Sequence, residues 1–388
     1  MRVVVLMLLG AGVVSAPITA QTDSVYIGRT DTIGTTTYDW QFNWSALRHI
    51  VNAPDYGIHA AWLFSADTSR LYPDRNKALG FYDYSTRTWS SVPVFTGRAG
   101  FGNLDVDPVT QVAVLCCYGG SGGTVRPIAA REMTPGSGIF EFCEGPEEFL
   151  WPVMAIGQNR WIHVGMFDDS TRDGLWYSRI RTWCTWDSTV WMARPVIPTQ
   201  NIAASKVSHK VCLAWVEDDG YWQYKVSYRL SSDGGDTWSS TIQLPYPPAY
   251  GGDTLTSFSV CGIFPFYDSQ DRLHFTTSVF PIVNGSRLIQ PAEIWHWCEE
   301  NEPDWAEIHR AGCDPQNLQA ATGYNAKYAD RPSMGESSNG YLYVAWEQFD
   351  SSNVEPETNL LRAGIWLAAS EDNGATWNPG RKIAQRKN

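Results

Sequence analysis

Six segments of the chain line up as its apolar stretches, the fifth of them interrupted by polar residues: YGIHAAWL (56–63), TQVAVLCCY (110–118), RWIHVGMF (160–167), HKVCLAWVE (209–217), DRLHFTTSV (271–279) and GYLYVAWEQ (340–348). Most follow a Gly, Asn or Asp turn signal, and a short apolar run bounded in that way reads as a strand covered on both faces. They recur at roughly 50 to 70 residues, the repeat length of a four-stranded antiparallel unit with loop insertions. A long 3.6-residue periodicity appears nowhere, which disfavours helical-bundle and α/β architectures.

After each run comes a second strand and then, usually, an aromatic-rich turn. Two of these turns share one template, S-x-D-x-G-x-T-W: Ser231, Asp233, Gly235, Thr237 and Trp238, then Ser370, Asp372, Gly374, Thr376 and Trp377. The chemistry explains the spelling. An Asp carboxylate folds back onto main-chain N–H groups, the Gly two places on accepts φ > 0, and the Trp buries a large apolar area beside the turn. Eroded versions keep Thr88-Trp89, Thr182-Trp183 and Asp304-Trp305, whereas the second unit, around EFCEGPEEFLW, shows none.

The template resembles the Asp-box of sialidase-like β-propellers. With six apolar runs, the resemblance implies an all-β fold: a six-bladed β-propeller of four-stranded antiparallel blades, forming a single domain over 21–388. GRKIAQ (380–385) is then the final outer strand, and DSVYIGRTDTIG (23–34) is expected to pair with the edge of blade six and close the ring, covering an aggregation-prone edge.

Residues 1–20 combine Arg2, an apolar run from Val3 to Val14 and small residues at Ser15, Ala16 and Ala20. This reads as a secretory signal peptide, too short for a membrane span, and it places the protein outside the cytoplasm: secreted, periplasmic or at the cell surface. A net charge of −12 over 388 residues, with no basic run outside the last few residues, argues against nucleic acid and anionic membrane surfaces as partners. The 19 Trp, 18 Tyr and 15 Phe suit interlocked sheets and also the stacking of aromatic faces on pyranose rings. The eight cysteines of an exported chain permit disulfides, with Cys298 and Cys313 bracketing one turn region as a candidate pair. Asn43 and Asn284 are N-x-S sites that matter only in a glycosylating host.

In the sialidase family, the resemblance implies arginines that grip a substrate carboxylate, a Tyr-Glu nucleophile pair and an Asp acid/base. The family's F/Y-R-I-P tetrapeptide is absent. Arg48 and Arg331 each precede a turn glycine by nine residues, in blades one and six, which are neighbours in a closed ring. They are either the two halves of an anion clamp or ordinary partners of nearby carboxylates, and Asn201 falls at a comparable position in blade four. Tyr324 and Tyr328 are the candidate nucleophiles, Glu217 and Glu336 their candidate bases, and Asp67 or Asp74 the candidate acid. His59, His163 and His274 recur at one strand position. Their blades are not consecutive, so they read as structural, and no metal or cofactor is expected. GGSGGT (119–124) lacks the Gly-Lys-Ser/Thr ending of a phosphate loop and reads as a hairpin tip.

Two functions stay open: a propeller that binds a glycan or extracellular protein at its axial funnel, or an exo-acting glycoside hydrolase of the sialidase type.

Overall fold

A computed structural model describes residues 31–385 except positions 39, 43, 70, 121–124, 169–173, 196 and 221–222. The expected signal segment, the leading part of 23–34, Asn43 and most of GGSGGT therefore lie outside the described residues.

The chain folds into six antiparallel sheets arranged as blades around an axis, with one short 3-10 turn, Pro315–Asn317, as the only helical element among the described residues. The inner strands are Ile50–Ala53, Ala99–Val106, Phe149–Ile156, Asn201–Ala204, Leu255–Tyr267 and Ala329–Glu336. Each is followed by one of the six apolar runs as the second strand: Gly57–Phe64, Ala113–Gly119, Ile162–Asp168, Val211–Asp218, Leu273–Val283 and Leu342–Val354. A third and an outer strand complete each meander, and Arg381–Gln385 is the outer strand of blade six. Blade three splits its outer strand into Thr185–Trp186 and Val190–Ala193, and blade five carries an extra two-residue strand, Ser286–Arg287.

Neighbouring inner strands run the same way along the axis, as their cross-links show. Asn103 exchanges two 2.8 Å bonds with the backbone of Met154, and two residues further along Asp105 accepts from Ile156 N at 2.8 Å. One end of the channel is thus lined by strand starts and the other by strand ends.

Five of the six blade junctions are sealed by apolar clusters, each drawing on two consecutive blades: Leu79 with Leu115, Val114 with Ile162, Tyr177 with Trp215, Val226 with Phe258, and Ile294 with Val344 mark them in order. Among the described residues no such cluster joins blade six to blade one. Ile50 and Ile365, from those two blades, are 68% and 43% exposed and line a cavity there. The leading described residues lie against blade one: Asp31 accepts from Trp89 Nε1 at 3.3 Å, and a Cβ on Gly34 would fall 2.3 Å from the Trp62 ring.

The two octapeptide turns close identically. Ser231 Oγ accepts from Gly235 N (2.7 Å), and Asp233 accepts from Thr237 N (2.9 Å) and Thr237 Oγ1 (2.6 Å). Ser370, Asp372, Gly374 and Thr376 repeat the pattern. Each glycine has positive φ, +87° and +85°, and presses on the preceding blade, where a Cβ would lie 2.1 Å from Tyr177 Oη or from the His296 ring. Under these contacts sit the recurring histidines. His163 Nδ1 is 2.7 Å from Tyr177 Oη, and His274 lies 2.9 Å from His296 and 3.1 Å from Asp268. His59 packs on Phe81 beneath Gly136, a glycine turn of blade two that its sequence does not advertise. The recurrence has a packing origin: turns of blades two, four and six press on blades one, three and five.

The cysteine expectation is corrected. Cys143 and Cys184 form the disulfide, joining the edges of blades two and three with Cα atoms 4.9 Å apart, while Cys298 and Cys313 are unpaired. Cys298 ends a third strand beside His274, and Cys313 lies near Tyr328, so the spacing that bracketed a turn does not bring the two sulfurs together.

Candidate functional site

Just before blade one, residues 44–48, which belong to no strand, cross the axis. Their backbone is caught by three non-adjacent blades: Trp44 O accepts from Arg331 Nε (3.3 Å), Ala46 O from Asn201 Nδ2 (3.0 Å) and Arg48 O from Leu104 N (2.9 Å). Trp44 and Ser45 lie at bends, so the backbone turns as it goes and these carbonyls meet blades six, four and two in turn. Asn201 also donates to Ile263 O at 3.1 Å and is buried. Its amide is therefore spent on the chain's own backbone, and it is not among the cavity-lining residues.

The plug divides the channel in two, with Phe42 and Leu47 lining both halves. The half at the strand ends is a cavity of ≈700 Å³ reaching into the blade six–blade one junction. Both arginines line it. Arg48 Nη1 is 3.0 Å from Asp105 Oδ2, and Lys206 Nζ is also 3.0 Å from that oxygen. One carboxylate therefore serves two cations. Burial would raise the Asp105 pKa, but Lys206, Arg48 and the N–H groups of Ile156 and Val106 hold it below the usual carboxylate value. Burial lowers the Lys206 pKa, opposed by Asp105.

Arg331 pairs with Glu347 on the adjacent strand and lies 3.7 Å from Cys261 Sγ. Burial pushes the Glu347 carboxyl upward despite Arg331. Arg331 has φ +52° at a register shift in its strand, a conformation uncommon for a non-glycine residue. The preceding Asp330 holds it there, accepting from Ser259 Oγ (2.8 Å), Ser278 Oγ, Lys327 N (3.0 Å) and Arg331 N (2.9 Å). Two further acids reach the cavity already engaged. Asp268 bonds Arg272 and His274, and Glu336 accepts from Ser269 N and Oγ.

The other expected residues do not converge. Tyr328 is buried in the core between blades five and six, near Cys313 and Ser351. Tyr324 lies on the surface, its ring 5.9 Å from Trp40 and 6.3 Å from Trp44. Glu217 pairs with Lys225 (3.2 Å) and accepts from Trp215 Nε1 (2.5 Å), on the second strand of blade four. Asp67 and Asp74 shape one surface loop: Asp67 accepts from Ser69 N, and Asp74 accepts from Ser65 Oγ and Ala66 N. No candidate tyrosine therefore has a candidate glutamate beside it.

Sequence reasoning missed Asp105, Lys206 and Glu347. For Glu347 a signal existed: Tyr343, Ala345 and Glu347 alternate with buried Leu342, Val344 and Trp346, which marks a strand face left without an apolar partner.

No protein-family model and no curated protein matches the chain. Solved structures do resemble it. A polysaccharide lyase of family PL25, an ulvan lyase, superposes with TM-score 0.54 at 12% identity, covering 88% of this chain and 86% of that one. The same kind of lyase bound to -[GlcA(1-4)Rha3S]- gives TM-score 0.51 at 12% identity, with 88% of each chain covered. A mutant Trypanosoma rangeli sialidase displaying trans-sialidase activity gives TM-score 0.45 at 11% identity, covering 89% of this chain and 58% of that one. The chain is a six-bladed propeller that shares its fold with the two lyase structures, and at 12% identity the likeness is one of fold alone.

Proposed function

We propose that this protein is an exported propeller that binds an acidic polysaccharide in its axial cavity. The observation that carries the reading is the sharing of Asp105 by Arg48 and Lys206, two cations on one carboxylate in the wall of a ≈700 Å³ space whose other acids, Asp268, Glu336 and Glu347, have partners of their own. A carboxylate or sulfate of a glycan supplies the missing counter-charge, and a guanidinium beside an ammonium is a strong combination for either group. The size suits a few sugar residues, and the likeness to a lyase bound to a uronate- and sulfate-bearing disaccharide supports this chemistry.

Calorimetric titration with ulvan oligosaccharides tests it, with a neutral glucan as control. We expect binding that weakens as salt rises and falls about tenfold in Lys206→Gln, the loss of one charge-assisted contact. Absence of binding, or affinity unchanged in that variant, refutes the reading.

A second reading, a glycoside hydrolase of the sialidase type, is favoured by Glu347, a cavity carboxyl that burial pushes toward the protonated form a proton donor needs. Turnover of a fluorogenic sialoside is its test, and no release above a boiled control between pH 4 and 7 removes it.

A further inference from the structure

The other half of the channel, at the strand starts, has a different wall. A small pocket lies there between Phe42, Trp44, Ser45, Phe101, Trp151 and Gln200, and among the described residues no Asp, Glu, Lys or Arg lines it. Four of its side chains carry a polar atom that is shut off from solvent and has no partner: Trp44 Nε1, Ser45 Oγ, Trp151 Nε1 and Gln200 Oε1. Ser45 and Gln200 are themselves almost wholly buried. Burying that many unmatched polar atoms in one place is costly unless something else completes them.

The inventory states what is missing. Indole N–H groups only donate. Gln200 Nε2 donates to Trp151 O at 2.7 Å, which fixes the amide and leaves Oε1 as an acceptor without a donor. Ser45 does either. The two indoles and Gln200 call for a group that accepts twice and donates once, which a hydroxyl can do, and Ser45 Oγ is left for a second hydrogen-bonding group. A cation faces two indole donors and an anion faces the Gln200 oxygen, so neither fits. The space is ≈30 Å³, room for one water-sized group.

A second, independent feature adjoins it. Trp40 and Tyr324 are 45% and 67% exposed, come from opposite ends of the chain, and meet edge to face with Trp44 beside them. Trp44 thus links an exposed aromatic surface to the pocket that its own Nε1 leaves unfilled. Trp151 is held with φ +45° near a register shift of its strand, the kind of irregularity that re-aims a side chain.

We propose that this mouth is a second carbohydrate site, specific for an uncharged sugar residue: one hydroxyl or hydroxymethyl group enters the pocket beneath Trp44 and Trp151, and the ring rests against Trp40 and Tyr324. The site does not depend on the charged cavity or on what binds there.

Tryptophan indole resonances in ¹⁵N-labelled full-length protein provide the test, assigned through Trp44→Phe and Trp151→Phe. The probes are the methyl glycosides of glucose, galactose, mannose, xylose and rhamnose, with methyl glucuronide as the charged control. We expect at least one neutral glycoside to shift the Trp44 and Trp151 signals saturably. Ser45→Ala and Trp151→Phe, each removing one hydrogen-bonding atom, should weaken it about three- to tenfold. Trp40→Ala, an exposed position that leaves the core intact, should weaken it about tenfold. Lys206→Gln should leave it unchanged. Silence of both resonances across the neutral panel overturns the proposal. So does a shift that survives both Trp40→Ala and Ser45→Ala, or an equal response to the glucuronide.

Discussion

The two ends of the axial channel are built from the same set of inner strands and separated by the same stretch of chain, yet their chemistry is opposite. At the strand ends the wall is charged, with Arg48, Lys206, Arg331, Asp105 and Glu347 around a wide cavity. At the strand starts it is aromatic and uncharged around a space for one small group. Width and polarity go together for a physical reason. Ionised side chains need water or a counter-charge, so they persist where the channel is wide and each finds a partner, whereas a narrow opening tolerates only neutral donors and acceptors. The plug makes the difference possible by keeping the two environments apart, and it does so with residues that otherwise have the look of ligand anchors: Asn201, Arg331 and the Leu104 amide.

The contrast can be broken at three points. The largest effect is expected from Asp105→Ala, which strips the shared carboxylate from Arg48 and Lys206 and leaves Ile156 N unpaired. A loss of about 3–5 kcal/mol in urea unfolding is expected, while the Trp151 indole resonance at the other end stays in place. Movement of that resonance would mean that the two halves form one unit.

A smaller loss, about 2 kcal/mol, is expected for Asn201→Ala, because two buried carbonyls, Ala46 and Ile263, lose their donor. Since Ala46 belongs to the plug, both ends should loosen, and faster hydrogen exchange at Leu104 N–H, which binds Arg48 O, reports it. Protection unchanged there would show that Asn201 does not hold the plug.

The smallest effect concerns Lys77, wholly buried, whose ammonium donates to Gly102 O behind the neutral pocket. Burial drives its pKa from 10.5 down to about 7. Between those values the unfolded chain holds a proton that the folded protein lacks, so this group makes stability rise with pH across the window, and its penalty is full below it. Lys77→Met should therefore gain stability relative to the parent at pH 7, the lost bond to Gly102 offsetting part of the relief, and the advantage should shrink steadily as pH rises toward 10. An advantage that does not change with pH would assign it to packing instead.

Strand periodicity and turn chemistry are local, and what depends on them was legible. All six second strands, the meander of each blade, the final strand at Arg381–Gln385 and the two hairpin turns stand where alternation and the S-x-D-x-G-x-T-W template put them. Alternation also says that a residue faces sideways from its strand. It does not say which blade it meets there, which is why Cys143 and Cys184 were not paired from the sequence, and why Gly136 was not recognised as the counterpart of Gly235 and Gly374.

The site was half legible. Arg48 and Arg331 share a cavity, as the spacing suggested, but only Arg331 stands on an inner strand, and Arg48 reaches the cavity from the segment that crosses the axis. Their partners, the diversion of Asn201 and the division of the channel follow from the path of residues 44–48, which belong to no strand, carry no periodic signature and are held through backbone carbonyls that any sequence supplies. The sequence by itself determined the repeated unit, since each blade is specified by contacts close along the chain. The tertiary structure decided what lies on the axis, since that depends on where a non-repeating segment finds donors from three blades at once.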